Sequence, residues 1–166
     1  MSGELSGTSH GDVVSLGAAA RALQVDQARL GAARRLAAAA GEDTALQVIA
    51  SLAAELLGTP SAEVSVITDE RIIVAAVDAL PGPVGTRTAL DQTWCTAAAA
   101  SRCPFVIHDA TDDPRLDGVD RTTRTAVGGF MSAPMTADDG NVVGAVCVYQ
   151  PQPRTWSDGI GKTPCR

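Results

Sequence analysis

The strongest constraint on this chain is a pair of apolar runs, Gly128–Met135 and Asn141–Tyr149, joined by Thr136-Ala137-Asp138-Asp139-Gly140. Asp-Gly between two such runs signals a hairpin, because glycine accepts the positive φ that a tight turn needs. Both runs mix small residues (Gly128, Gly129, Gly144, Ala145) with larger ones, which lets other structure pack close to the backbone. The hairpin reads as the middle of an antiparallel sheet, with the rest of the chain as its cover.

Upstream, Val64 and Val66 alternate with Glu63 and Ser65, which predicts a strand opening at Ser61 with one wet face. Asp69-Glu70 is a turn, and Arg71–Val77 is a second, more completely apolar strand. Leu80–Gly85, with Pro81 and Pro83, reads as a loop. Asp91 is placed as the cap of a short helix through Trp94, Cys95 and Ala97–Ala100. Pro104–His108 is a short third strand, followed by the polar loop Asp109–Gly118 and a helical turn over Asp120–Val127.

Before the sheet, residues 1–11 carry no periodicity and read as a disordered leader. Residues 12–40 read as one amphipathic helix capped by Asp12, with Leu16, Leu23 and Leu30 seven apart. Two readings stay open for that half seam: a helix lying on its own domain, or one pairing with a second copy. Gly41 ends the helix, and Glu42-Asp43-Thr44 starts the next. There Ala45, Val48, Ile49, Leu52, Ala53, Leu56 and Leu57 form a stripe expected to face the core, stopped by Gly58 and Pro60. Residues 41–158 read as one domain. Thr155-Trp156-Ser157-Asp158 resembles a helix start, but 159–166 read as an irregular or truncated tail.

Composition excludes several classes of function. Hydrophobic content of 45% with 19% charged residues is that of a globular chain, not a disordered one. A net charge of -6 argues against a nucleic-acid or anionic-membrane surface. No apolar run approaches the roughly 18 residues of a membrane span, and no signal-peptide pattern is present, so a cytoplasmic chain is expected. In that compartment Cys95, Cys103, Cys147 and Cys165 are expected to be mostly free thiols. Their spacings match neither CxxC nor a zinc knuckle, which argues against a structural metal site.

Of the chemistry-bearing residues, Cys95 heads the short helix, where the dipole favours a thiolate. It reads either as a redox-reactive thiol or as a small packing residue. Cys103, eight residues on, is the partner within sequence reach, whereas Cys147 on a central strand reads as core. His108 beside Asp109 has the look of an oriented imidazole, but a lone histidine is commonly structural. Asp109, Asp112, Asp113, Asp117 and Asp120 crowd one loop without calcium-loop spacing and read as solvated turns. No G-x-S-x-G elbow or phosphate loop is present.

Taken in order, these segments resemble a GAF domain, the small-molecule-binding sensor module of bacterial signalling proteins. Val64–Thr68 with Ile72–Val77 resembles the family's opening hairpin, and Asp91-Gln92-Thr93-Trp94-Cys95 its "D-x-S-F-C" helix start. Phe105–Ala110 with Asp113-Pro114-Arg115 resembles "L-V-V-x-D-A…D-P-R". Ala133-Pro134-Met135, Gly144–Val148 and Pro153-Arg154-Thr155-Trp156 resemble "A-P-L…G-x-L-C-V…P-R-x-F". The resemblance covers Ser61 to Asp158. The arginine and aromatic that often precede "A-P-L" are replaced, with Gly128 and Gly129 before Phe130. The Cys-His dipeptide for a bilin and the N-K-F-D-E cyclic-nucleotide signature are absent.

The resemblance implies an α+β fold: an antiparallel sheet of about six strands, PAS-like, flanked by helices, here with an N-terminal helical extension. It also implies a non-catalytic regulatory module that binds a small molecule against one sheet face. Such a module forms a homodimer through terminal helices and acts on an output signalling domain or protein. The expected lining is Val74 and Ala76 on the second strand, Trp94 and Cys95 on the short helix, and Phe130 and Ser132 on the fourth strand. Neither the ligand nor any cofactor can be named from the residues. The alternatives are a thiol-dependent enzyme, as in the family branch that reduces free methionine sulfoxide, a redox sensor using Cys95, or a ligand-free dimerisation module.

Overall fold

The hairpin that dominates the sequence forms β5 (Gly129–Thr136) and β6 (Val142–Gln150). Its turn is closed by Ala137 N–H to Asn141 O (2.9 Å) and Gly140 N–H to Ala137 O (2.9 Å). Gly140 sits at φ 83°, the conformation that selects glycine there. A computed structural model describes residues 15–78, 82–116 and 126–157. In it, β5 and β6 join β1 (Ser61–Ile67), β2 (Glu70–Val77), β3 (Arg87–Ala89) and β4 (Phe105–Ile107). The six strands form one antiparallel sheet in the order β3-β2-β1-β6-β5-β4. The fold is α+β, and its centre is the pairing of β1 with β6, from Ser61 opposite Tyr149 to Val66 opposite Gly144.

Among the described residues four α-helices cover the two faces: α1 (Leu16–Val25), α2 (Gln27–Ala39), α3 (Thr44–Leu57) and α4 (Cys95–Ser101). On one face α1 packs with α4 through Leu16, Ala20 and Leu23, over Ile67, Phe130, Ala145, Cys147 and Tyr149. On the other, α2 lays Ala32 and Ala33 on Val66 and Val143, and α3 lays Leu46 and Ala50 on Val64 and Ala75.

The single helix expected over 12–40 is therefore two, with residues 12–14 outside the described part. Asp26 leaves helical geometry (φ -79°, ψ 94°) and accepts the Arg29 N–H on Oδ1 at 3.0 Å, ending α1 and capping α2. That break carries the chain from one sheet face to the other. At the crossing, Arg29 is buried, and its guanidinium donates to the carbonyls of Leu23, Ile67, Thr68 and Val142. Burial holds its pKa below the ordinary value. Leu16, Leu23 and Leu30 are all buried inside their own domain. That burial is the arrangement of helices lying on their own domain.

Other expectations change in detail. Only part of the stripe expected to face the core from α3 does so: Ala53 and Leu57 are half-buried against Met131 and Trp156, whereas Val48, Ile49, Leu52 and Leu56 are 39–80% exposed and Leu46, Ala50 and Ala54 take the buried positions. The helix is apolar nearly all round, so its period does not choose a face. Small Ala50 and Ala54 let the backbone approach the sheet where the larger stripe could not. Glu63 and Ser65, placed on a wet strand face, are buried. Asp91 lies in a separate 3-10 turn, Leu90–Gln92, and α4 has no side-chain cap. The short edge strand β3 carries no apolar alternation and was invisible to the pattern. The leader, the Asp12 cap, residues 117–125 of the polar loop and helical turn, and the tail from 158 lie outside the described residues.

Candidate functional site

Beneath α4, the inward face of β1 carries Glu63 and Ser65, and β6 carries Cys147 opposite Glu63. Arg71, from the start of β2, sends its guanidinium to Glu63 Oε1 and donates to Thr88 Oγ1 at 3.0 Å. Ser65 Oγ donates to the same Oε1 at 3.1 Å. Cys95, the first residue of α4, stands with Sγ 3.7 Å from Glu63 Oε1 and 2.6 Å from Cys147 Sγ. Ser132 on β5 reaches Cys147 Sγ at 3.3 Å. Glu63, Ser65, Arg71, Cys95, Ser132 and Cys147 are each at most 3% exposed. This is a buried polar island in an otherwise apolar layer.

Its electrostatics follow from burial and pairing. Desolvation is the largest influence on Arg71 and pulls it down, but the Glu63 carboxylate together with Cys95 and Cys147 outweighs it and leaves the guanidinium pKa above its ordinary value. Burial pushes the Cys147 thiol well up, with Cys95 and Glu63 adding to it and Ser132 opposing. Three polar atoms of the layer, Glu63 Oε2, Arg71 Nε and Trp94 Nε1, are buried without a hydrogen-bond partner among the described residues. An orphaned buried donor or acceptor costs about 1–3 kcal/mol, so such atoms are uncommon in a relaxed core.

The expected lining residues divide between the faces. Trp94, Cys95 and Phe130 share one cluster, Trp94 meeting Phe130 edge to face at 5.3 Å between ring centroids, and Ser132 lies at its floor. Val74 packs on the opposite face with Val64 and Val66. Ala76 is half-buried, and its backbone exchanges two hydrogen bonds with the Gln47 side chain. The thiol facing Cys95 is Cys147, not Cys103, because β6 runs beneath the head of α4. Sequence reasoning left Glu63, Arg71 and Cys147 out of the site. Glu63 and Ser65 at period two with Arg71 in the same hairpin were a signal for a buried ion pair. Nothing in the spacing pointed to Cys147.

His108 has a structural post: its Nδ1 accepts the Trp156 backbone N–H at 3.1 Å. Trp156 Nε1 donates to Ile107 O at 3.0 Å, and Arg154 stacks over the indole at 4.5 Å. Arg115 is held by both oxygens of Asp113, donates to Val106 O and lies over Phe105. The D-P-R and P-R-T-W motifs thus both tie down β4. A surface depression of about 380 Å³ beside them is lined by His108, Asp109, Asp112, Asp113, Pro114 and Arg115. Hydrogen bonds from Thr111 hold the exposed Asp109 carboxyl below its ordinary pKa, which makes it a turn former.

Residues 41–159, the span that holds this sheet with β1 beside the last strand and a short helix over the central pair, are matched by the GAF domain family model. The chain belongs to the GAF domain family. The GAF fold is shared with the GAF domain of a phosphoenolpyruvate-protein phosphotransferase from Acinetobacter (14% identity, 80% of this chain and 83% of that one, TM-score 0.57). It is shared too with a type II free methionine-R-sulfoxide reductase from Thermoplasma acidophilum (13%, 70% and 79%, TM-score 0.57). A third likeness is the blue-light absorbing form of the Thermosynechococcus elongatus PixJ GAF domain (18%, 81% and 79%, TM-score 0.52). No curated protein matches this chain. At such identities these structures share the fold alone. No helix among the described residues is long and apolar enough to cross a membrane.

Proposed function

We propose that this GAF domain is a non-catalytic regulatory module that takes up a small molecule between the sheet and α4. The observation that carries this reading is the Trp94 indole: it is buried against Phe130, and its N–H has no acceptor among the described residues. A ligand with a hydrogen-bond acceptor and an apolar body would complete that donor, with Ser132 below. Because α1 packs on α4, a ligand that moves α4 would bias the N-terminal helices and through them an output partner. Native mass spectrometry of the chain as purified, against its denatured mass, tests this. A non-covalent organic mass retained by the wild type and lost in Trp94→Leu supports it; equal retention by both refutes it.

The module is proposed to act as a homodimer. Leu16, Leu23 and Leu30 are used up within the domain, so the contact falls on the exposed α3 residues Val48, Ile49, Leu52 and Leu56.

A thiol-dependent reductase is the second reading, favoured by the presence of Cys147 beside Cys95. Both thiols are at most 1% exposed, so it requires α4 to lift. Turnover of free methionine sulfoxide with a dithiol reductant, abolished in Cys95→Ser, would establish it; no turnover removes it.

A further inference from the structure

Glu63, Cys95 and Cys147 lie far apart in the chain, yet one donor atom from each falls within 4.8 Å of the other two. Ligand pairs around one ion with bonds of about 2.0–2.3 Å span no more than about 4.6 Å, so the cluster has nearly the size of a coordination sphere. The Glu63 carboxylate is 1% exposed, and only one of its oxygens is used: Oε1 takes Arg71, Ser65 and, at 3.7 Å, the Cys95 thiol, while Oε2 accepts nothing among the described residues. We propose that Glu63, Cys95 and Cys147 are three ligands of a zinc-class divalent cation.

The donor set selects the class of ion. Two sulfurs and one carboxylate oxygen suit zinc, whereas magnesium and calcium call for oxygen throughout. Charge fits as well. Two thiolates and a carboxylate carry three negative charges, and a divalent cation with the Arg71 guanidinium balances them in a layer without water-exposed counter-charge. Oε2, which no described group bonds, is the carboxylate oxygen with capacity for the metal. Ser132, 3.3 Å from Cys147 Sγ, borders the fourth position. Binding exchanges two protons for one ion: each thiol releases its proton to solvent as its sulfur bonds the metal.

A tetrahedral zinc with bonds of about 2.3 Å sets its sulfurs about 3.8 Å apart. The 2.6 Å contact between Cys95 and Cys147 must therefore open by about an ångström. That movement falls on Cys95 at the end of α4 rather than on Cys147 in the middle of the sheet. The site does not depend on the small-molecule reading: an ion alone satisfies Glu63 Oε2 and leaves Trp94 Nε1 as it is.

The test is titration of the full chain, reduced and stripped of metal by a chelator, with Co²⁺ as the probe. One equivalent should bind with thiolate-to-cobalt charge-transfer and tetrahedral ligand-field bands, and Zn²⁺ should displace it. Cys95→Ser and Cys147→Ser should each lose the charge-transfer intensity, Glu63→Gln should weaken binding at least about tenfold, and Cys103→Ser should keep the full signal. Should those variants not fold, the wild type alone decides: one equivalent of Zn²⁺ must raise the melting temperature and release two protons. No saturable binding by the reduced chain, or loss of the signal in Cys103→Ser, overturns the proposal. So does an intact mass two hydrogens short with Cys95 and Cys147 peptides linked, since the pair is then a disulfide.

Discussion

Arg29 is a charged residue doing the work of a cross-link. It is 2% exposed, with carbonyls from α1, β1 and β6 around its guanidinium and no carboxylate among the described residues bonded to that group. Truncating it orphans several buried carbonyls at once, so Arg29→Ala should cost about 3 kcal/mol in denaturant unfolding. A loss below about 1 kcal/mol would mean that water replaces the guanidinium. Cys147 makes a pH prediction. Its thiol pKa in the fold is raised above the ordinary 9.0, so above that pH the unfolded chain gives up a proton that the folded chain keeps. Stability of the reduced, metal-free protein should therefore be intact below pH 9 and fall as pH rises beyond it, by up to about 1.4 kcal/mol per unit. Cys147→Ala should flatten that limb, and an unchanged slope would show that other groups cause it.

Among the elements, the β1–β6 join is the least tolerant. A Cβ built on Gly144 would lie 2.1 Å from Ser65 O and 2.9 Å from Met135 Cε. Gly144→Ala must push the central strands apart and should cost about 2–3 kcal/mol, whereas Gly41→Ala, with open space around it, should be neutral. Equal melting temperatures for the two variants would refute this. The same join shows how far the sequence was legible. Asp139-Gly140 and the two apolar runs announced β5 and β6, and Asp43 and Gly58 marked both ends of α3, because turns and caps are local chemistry. The face of α3 was not legible, since Ala50 and Ala54 win by being small, which no periodicity records. The break at Asp26 was hidden inside a continuous helical pattern. The candidate site was half legible: Trp94, Cys95, Phe130 and Ser132 come together, but Glu63 passed for a solvent-facing residue and Cys147 for plain core. Both are site residues only because α4 crosses over them, a long-range fact.

At the scale of the molecule, one surface stands out. Val48 (55% exposed), Ile49 (39%), Leu52 (48%) and Leu56 (80%) leave an apolar stripe along α3, the outermost layer of its face. The proposed homodimer closes on that stripe. Light scattering should give a dimer mass at micromolar concentration for the wild type and a monomer for Leu52→Glu/Leu56→Glu with an unchanged melting temperature. A wild-type monomer throughout that range would remove the dimer.

The pairing of residues 61–67 with the strand at 142–150 also has a consequence for how the chain is made. On the ribosome, β1 and β2 emerge early as a hairpin with one long edge bare, and that edge finds its mate only when β6 has left the exit tunnel, some eighty residues later. During that interval Glu63 lacks the strand that lies beside it in the fold. The central seam is thus the last to close, and slowing synthesis between β2 and β6 would lengthen the time for which a nascent edge can meet the wrong strand.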